Sequence, residues 1–263
     1  MKTKGMWKTW VFAVALVVLA EFLVGFAPQK EETVRVPVLM YHDFAEEEGA
    51  YTMSQERFRV QLAMLDALGY ETITFRQLLD WADHGTALPE KPVILVSDDG
   101  YTGVLDTALP VLEEFGMCMS VAVIGALMGE EGDGEHPHFT MEELDAADSA
   151  GHIELVSHSY GLHTVTDTMR GAVNTGMSGW KYREVLREDH AAMEALFAEH
   201  PTAGHTINSA VFVYPFGAYS PESEAILKEL GVRVTVTTDI GTAEVSRSEG
   251  MTLMPRIMAE WKR

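Results

Sequence analysis

The segment Val93–Gly100 reads VILVSDDG, and it is the part of the sequence that decides the fold class. Its first four residues form a continuous apolar run, as in a strand that is covered on both faces of a parallel sheet. Two adjacent carboxylates and a glycine follow directly. Because parallel α/β folds collect their chemistry at the carboxyl ends of strands, the segment also marks a candidate functional site.

Strand and helix patterns alternate on both sides of this segment. Apolar runs predict strands at residues 34–41, 93–96, 120–124, 152–156, 210–214, 232–237 and 251–257. Helical periodicity and capping signals predict helices at residues 58–68, 76–84, 104–115, 141–150, 180–199 and 221–230. The alternation predicts an α/β fold with a mainly parallel sheet, either doubly wound or closed into a barrel.

Composition limits the classes of protein to which the chain can belong. Its 263 residues are 47% hydrophobic and 22% charged, an ordinary globular balance, and no change in composition divides the body into two domains. The formal net charge of −21 argues against binding nucleic acid or anionic lipid head groups. The single cysteine, Cys118, cannot form an internal disulfide, and its apolar neighbours predict a buried, inert thiol.

Residues 1–28 have the pattern of a secretory signal peptide. Three lysines precede an apolar stretch at residues 10–27, which ends in small residues at the spacing that a signal peptidase reads. The competing interpretation is an uncleaved membrane anchor, but Glu21 within the stretch costs roughly 2–3 kcal/mol on insertion scales. Both interpretations predict that residues 34–263 are exported, either secreted or at the cell surface. The protein would contact a membrane only through residues 1–28, if that segment is not cleaved.

The first polar cluster is Ser97–Gly100, directly after the apolar run. Adjacent carboxylates repel each other, so Asp98 and Asp99 at a strand end are costly unless a cation or a proton lies between them. One carboxylate would then serve as a metal ligand and the other as a general base. The competing interpretation is an ordinary Asp-Gly turn.

The second polar cluster, SHSYGLH at residues 157–163, follows the strand predicted at residues 152–156. Its histidines, His158 and His163, are five residues apart, which does not suit one helix face but suits a strand end that bends at Gly161. Two histidines and one carboxylate from two strand ends make a facial metal site with open positions. Zinc fits this set, as do Fe(II), Co(II) and Ni(II); the competing interpretation is two unrelated surface histidines.

A third signal is YPFG at residues 214–217, which follows the strand predicted at residues 210–214. Proline and glycine favour a tight turn that exposes a backbone N–H, and such a group can stabilise an oxyanion. The competing interpretation is an ordinary turn between a strand and a helix.

Through four motifs, taken in order along the chain, the sequence resembles the NodB-type polysaccharide deacetylase family. The members of this family are metal-dependent carbohydrate esterases. The motifs are VPVLMYH at residues 36–42, DDG at residues 98–100, SHSYGLH at residues 157–163 and YPFG at residues 214–217. The resemblance covers roughly residues 36–263 and implies a single deacetylase domain, 34–263, with a distorted (β/α) barrel fold.

The resemblance also implies a role for individual residues. Asp98 would be the general base, and Asp99, His158 and His163 would hold a divalent metal, usually zinc. The backbone N–H of Phe216 would contribute to an oxyanion hole.

The implied reaction is hydrolysis of N-acetyl groups on an amino-sugar polysaccharide such as peptidoglycan, poly-N-acetylglucosamine or a chitin-like polymer. Metal-bound water, activated by Asp98, would attack the acetamide carbonyl and release acetate. The alternatives are an O-acetyl esterase acting on xylan and a catalytically weak, glycan-binding member of the fold. An Fe(II) oxygenase is disfavoured, because strands alternate with helices.

The sequence departs from the family pattern at three places. Ser97 follows Val96 where the family has Thr-Phe, and Val213 stands where the family has the arginine that orients the base. We predict that Arg256, near the end of the last strand, substitutes for this arginine; the competing interpretation is a structural arginine.

The third departure is that no histidine follows His205, so the family's general acid has no match. Either Asp98 serves as both base and acid, or another residue is the acid, or the activity is low. Three other histidines are expected to have no catalytic role. His136 and His138 flank a proline in a polar loop and are predicted to be solvated, and His42 is predicted to be structural, although its strand end could lie near the site.

Overall fold

Seven parallel strands close into a barrel in the computed structural model, which describes residues 33–130, 136–148, 150–199 and 206–259. In order around the ring they are β2 (Val38–Tyr41), β14 (Met254–Met258), β12 (Val234–Ile240), β11 (Thr206–Val213), β8 (Ile153–Ser157), β7 (Met119–Val123) and β6 (Pro92–Asp99). Parallel pairing of β2 with β6 completes the ring. Because the sheet closes on itself and all pairings around the ring are parallel, the predicted distorted (β/α) barrel is confirmed and the open, doubly wound alternative is wrong.

Helices and short strands surround the barrel. The helices are α1 (Gln55–Ala67), α2 (Phe75–His84), α3 (Leu109–Phe115), α4 (Met141–Ala147), α5 (Gly179–Glu199) and α6 (Pro221–Glu229). The short strands are β1 (Val34–Val36) with β13 (Ala243–Val245), β3 (Asp43–Ala45) with β4 (Thr52–Ser54), β9 (Met169–Arg170) with β10 (Val173–Asn174), and β5 (Glu71–Thr72) beside β6. Within the described ranges, no helix combines the length and apolar character needed to cross a membrane. The signal or anchor predicted at residues 1–28 lies outside those ranges.

Two prolines alter predicted elements. The strand expected at residues 34–41 divides at Pro37 into β1, which pairs outside the ring, and β2, which joins it. The helix expected at residues 104–115 begins with a wider π-helical segment, Val104–Ala108, before α3. Pro110 has no N–H to donate and its ring crowds the carbonyl four residues earlier, so the preceding turn widens.

Helix α4 shows why one predicted boundary was wrong. Its start is as expected, with a capping box in which the Thr140 hydroxyl accepts from the Glu143 N–H and the Glu143 carboxylate accepts from the Thr140 N–H. The helix ends three residues earlier than predicted. The Asp148 carboxylate accepts the N–H groups of residues 151–153 at 2.9, 2.8 and 2.6 Å, which turns the chain into β8 instead of extending the helix.

The core lies on both sides of the barrel wall, and β6 shows the division. Val93 and Leu95 pack outward against the helices, whereas Ile94 and Val96 pack among alternate residues of the other ring strands. Burial of each such side chain stabilises the fold by roughly 1.5–3 kcal/mol. Asp98 continues the inward-facing alternation, so its carboxylate lies at the carboxyl end of the ring.

Candidate metal and catalytic site

A cavity of about 680 Å³ opens at the carboxyl ends of the barrel strands, where the sequence predicted chemistry. All six predicted site residues line it: Asp98, Asp99, His158, His163, Phe216 and Arg256. The remaining wall is mainly apolar and aromatic, and it is formed by Met40, His42, Tyr51, Tyr101, Thr238, Ile240, Ile257 and Met258. The fold therefore brings residues from six ring strands and their following loops to one concave site.

Asp99, His158 and His163 form a compact group of possible metal ligands. Oδ1 of Asp99 lies 3.6 Å from Nε2 of each histidine, and the ligand atoms all lie within 4.8 Å of one another. Zinc bonds of about 2.0–2.1 Å place two ligand atoms of a tetrahedral site roughly 3.3 Å apart, close to this spacing. In the described part of the chain, Oδ1 of Asp99 is buried and accepts no hydrogen bond. A buried carboxylate oxygen without a donor is costly, so this group fits a divalent cation.

The backbone turns sharply at Asp99 and Gly100. Asp99 has a φ of +77° and Gly100 a φ of +88°, both in the left-handed region. A Cβ at position 100 would lie 3.0 Å from Cγ1 of Val123 on the neighbouring strand, so both the dihedral and the space favour glycine. Because the strand alternation ends at this turn, Asp99 faces the histidines while Asp98 faces the inside of the ring.

His158 is held rigidly at the end of β8. Its backbone N–H donates to the carbonyl of Val123 over 2.9 Å, and its ring Nδ1 lies 2.8 Å from the carbonyl oxygen of Val213. Since a carbonyl only accepts, Nδ1 carries a proton, and Nε2 is the ring nitrogen that faces Asp99. Burial and the neighbouring His158 lower the pKa of His163, which favours the neutral imidazole that binds metals.

Asp98 is buried and paired with Arg256. Nη1 of Arg256 donates to Oδ1 of Asp98 over 2.7 Å, and Nε donates to the carbonyl of Thr237 over 2.7 Å. Burial raises the pKa of Asp98, but the charge of Arg256, with smaller effects of His158 and His42, outweighs it and lowers the pKa to about 2. Arg256, on β14, thus contacts the Asp98 carboxylate. Val213, which stands where the family has its arginine, has no polar group that could do so.

The turn Pro215–Gly217 carries Phe216 to the cavity. Phe216 has a φ of +59°, and its ring centroid lies 4.3 Å from that of His163. At Gly217, with φ of +63°, an added Cβ would lie 2.0 Å from Oγ1 of Thr238. Glycine is therefore required for this turn to approach β12 as closely as it does.

His42 lies on the cavity wall, a position that the sequence interpretation allowed but did not favour. Its ring centroid is 5.0 Å from that of Tyr51, and its positive form lowers the pKa of Asp98. The Ser97 hydroxyl donates to the His42 carbonyl over 2.5 Å. Ser97, noted only as a departure from the family pattern, therefore ties β6 to the end of β2.

The prediction that His136 and His138 are solvated is wrong for His138 and incomplete for His136. His138 is buried and forms an antiparallel bridge with Tyr101, and Nδ1 of His136 lies 2.7 Å from Oδ2 of Asp43. The reason is that the polar loop returns to the barrel mouth, where the Thr102 N–H donates to the Pro137 carbonyl over 2.8 Å. A local pattern rich in Gly and Glu gives no sign of such a long-range contact.

Comparison with known proteins agrees with this geometry. A sequence model of the polysaccharide deacetylase family matches residues 85–235. YxkH of Bacillus subtilis (strain 168), which bears the name of a polysaccharide deacetylase, is 25% identical over 227 residues, covering 86% of this chain and 72% of that protein. The poly-β-1,6-N-acetyl-D-glucosamine N-deacetylase of Escherichia coli (strain K12) is 25% identical over 240 residues, covering 82% of this chain but only 35% of that longer protein.

Solved structures show the same architecture. IcaB from Ammonifex degensii superposes with a TM-score of 0.70 at 21% identity, covering 88% of this chain and 93% of that structure. This likeness concerns the fold. Since the family model matches more than half of the sequence and the barrel presents the predicted constellation, the chain belongs to the polysaccharide deacetylase family, hydrolases that act on carbon–nitrogen bonds other than peptide bonds.

Proposed function

We propose that this chain is a metal-dependent N-deacetylase acting on a polysaccharide of N-acetylglucosamine. The observation that carries the proposal is the convergence of Asp98, Asp99, His158 and His163 in one cavity at the barrel mouth. It joins a group suited to a cation with a separate, ionised carboxylate held by an arginine. Such a pair suits hydrolysis of an amide better than it suits binding alone.

Asp99, His158 and His163 would hold the metal. One carboxylate oxygen and two imidazole nitrogens favour Zn²⁺, and Co²⁺, Ni²⁺ or Fe²⁺ accept the same ligands. When bound there, a divalent metal supplies Lewis-acid chemistry, which lowers the pKa of water and polarises a carbonyl. The lowered pKa of His163 favours its neutral, metal-binding form, and Oδ1 of Asp99, which has no hydrogen-bond partner among the described residues, faces both histidines.

Asp98 would accept the proton from the attacking water. Its carboxylate is ionised because Arg256 offsets the cost of burial, and the same hydrogen bond fixes its orientation. The backbone N–H of Phe216 would donate to the carbonyl oxygen as negative charge develops on it. In this assignment Arg256 acts through Asp98, as a positioning residue.

His42 would protonate the leaving amine. Three histidines line the cavity among the described residues, and two of them are assigned to the metal. His42 is the third, and we assign the role of acid to it because no histidine follows His205 in the sequence. Proton transfer to the nitrogen allows the C–N bond to break, which yields acetate and a free amino sugar.

The substrate assignment rests on the cavity and on one relative. A volume of about 680 Å³ is suited to a small segment of a glycan chain. Exposed apolar side chains at its mouth, Tyr51, Ile240 and Met258, suit the apolar faces of sugar rings. The Escherichia coli relative is named for its action on poly-β-1,6-N-acetyl-D-glucosamine, and we propose a polymer of that class for this chain. Residues 1–28 would direct export, so that the enzyme acts outside the cytoplasm.

The test combines metal analysis with acetate release. The purified protein is analysed for bound metal and incubated with β-1,6-linked N-acetylglucosamine oligomers, before and after chelation and as Asp98→Asn. We expect acetate release that disappears in both controls and returns when Zn²⁺ is added to the chelated protein. Release only from O-acetylated xylan would instead establish an esterase, and a bound metal with no release from either panel would indicate a glycan-binding protein. A protein that binds no divalent metal would refute the assignment of the three ligands.

A further inference from the structure

The two proposed histidine ligands are held by different means. His158 directly follows β8 and is fixed by hydrogen bonds to two neighbouring strands. His163 lies five residues further along, beyond the strand. Its position therefore depends on the path of the loop at residues 159–162.

This loop is folded against the neighbouring βα connection, which follows β7. Ser159 has a φ of +74°, and its carbonyl accepts the Gly125 N–H over 3.1 Å. The Tyr160 carbonyl accepts the Ala126 N–H over 2.8 Å. These bonds use the carbonyl groups of the loop and leave its N–H groups to find other acceptors.

Asp189 supplies those acceptors from outside the barrel. Its Oδ2 accepts the Tyr160 N–H over 3.0 Å, and its Oδ1 accepts the Gly161 N–H over 2.7 Å. The two N–H groups are consecutive, so one carboxylate fixes two adjacent peptide groups in the bend that precedes His163. Hydrogen bonds to an ionised acceptor are stronger than neutral ones, and two parallel bonds also restrict orientation.

The helix that carries Asp189 gives the carboxylate a fixed base. Asp189 lies in the middle of α5, a helix of 21 residues, where it is partly buried. The same helix packs on the loop region, since the Tyr160 ring and the Met193 side chain both lie within about 3 Å of where a Cβ of Gly125 would stand. Glycine at position 125 thus allows the helix, the loop and the barrel to approach closely.

We propose that Asp189 is a positioning residue for the metal site, which sets the place of His163 by binding the backbone N–H groups of Tyr160 and Gly161. The inference rests on the proposed roles of His158 and His163 as metal ligands. Asp189 touches neither the metal nor the substrate, and its effect passes through the loop. Loss of one such outer partner weakens metal affinity by about 10–100-fold in other metal sites.

The test measures Co²⁺ affinity by visible absorption and by competition with a chelator. In Asp189→Asn one oxygen becomes an amide N–H₂ that faces a backbone donor, so we expect Co²⁺ to bind about 10–100-fold more weakly. Glu188→Gln is the matched control, because it makes the same charge change at the adjacent, exposed position of the same helix and should bind Co²⁺ like wild type. The Co²⁺ absorption band of Asp189→Asn should also change shape, which a mere loss of stability would not produce.

The outcomes separate this inference from the proposed function. If wild type binds Co²⁺, His163→Ala weakens binding and Asp189→Asn binds like wild type, the role of Asp189 is refuted and the metal site stands. If wild type binds no Co²⁺, the metal site and the inference fall together. Should Asp189→Asn not fold, Asp189→Glu keeps the charge but moves the carboxylate by one methylene; unchanged affinity and an unchanged band in that variant would overturn the inference.

Discussion

Arg256 donates a hydrogen bond from Nη1 to Oδ1 of Asp98 over 2.7 Å, and the two side chains are 1% and 4% exposed. The residues lie 158 positions apart in the sequence. A second, exposed pair of the same kind exists on the surface, where Arg233 binds both carboxylate oxygens of Asp83. The two pairs allow the effect of burial on the contribution of an ion pair to stability to be measured within one protein.

We expect Arg256→Met to destabilise the fold by about 3–5 kcal/mol, because it leaves Asp98 buried without its partner. Arg233→Met is the control and should change stability little, since solvent screens an exposed pair. The measurement is the free energy of unfolding in urea. Equal effects of the two substitutions would contradict the importance of burial for the Asp98 pair.

Arg256→Met should also shift the acid limb of the pH profile, the fall of kcat/KM at low pH, to higher pH. In wild type the pKa of Asp98 is about 2, so the carboxylate is ionised throughout the working range. Without the charge of Arg256, the burial that raises this pKa is opposed less, and protonation of Asp98 begins at higher pH. The check is kcat/KM against pH for both proteins at saturating metal. A superimposable acid limb would show that Arg256 does not control the proposed base.

Asp99→Asn should have opposite effects on the metal-free and the metal-bound protein. Without metal, removing the charge of a buried carboxylate whose Oδ1 has no donor should stabilise the protein by about 1–3 kcal/mol. With Zn²⁺ at a hundredfold excess over its Kd, wild type should gain about 3 kcal/mol that the variant lacks. Thermal unfolding with chelator and with Zn²⁺ measures both. A Zn²⁺ gain of equal size in the two proteins would exclude Asp99 as a ligand.

His42→Gln should lower kcat by about 10²–10⁴-fold while leaving the metal content unchanged, because the proposed acid would be lost and the ligands kept. The control is His152→Gln, since His152 lies at the opposite end of β8 with its ring Nδ1 2.7 Å from the Met117 carbonyl. Acetate release and metal analysis on the same samples give both readouts. Full activity in His42→Gln would move the role of acid back to Asp98.

Gly217→Ala should reduce kcat strongly. The added methyl group would collide with Thr238 and displace the neighbouring Phe216 N–H, in addition to the strain of alanine at a φ of +63°. Gly116→Ala is a matched control with the same φ of +63° but open space around the new Cβ. Both variants bear a left-handed strain of roughly 1–2 kcal/mol. Only Gly217→Ala should lose activity in the acetate assay; equal losses would show that the turn has no catalytic part.

Local patterns predicted the alternation of strands and helices, because most strands of the ring contain an apolar run that is followed by a polar turn; the closed barrel was implied by the family resemblance. The apolar run at residues 93–96 predicted β6. The SHSYGLH segment, which follows the strand predicted at residues 152–156, indicated His158 and His163 as candidate metal ligands. The predicted bounds of helices and strands were wrong where a single residue interrupted the element despite a continuing hydrophobic periodicity. Asp148 ended α4 early, and Pro37 divided the first strand, since each satisfies or removes a backbone hydrogen bond in a way that hydrophobic periodicity does not record.

By itself, the sequence determined the alternation of strands and helices and the candidate ligands Asp99, His158 and His163, because those features depend on residues close together along the chain. Only the tertiary structure decided that Arg256 reaches Asp98, that His42 lines the cavity and that Asp189 binds the loop before His163. These contacts join residues on different strands and helices. They exist because the ring closes and the helices pack on it, and local sequence patterns contain no information about which distant strand ends then meet.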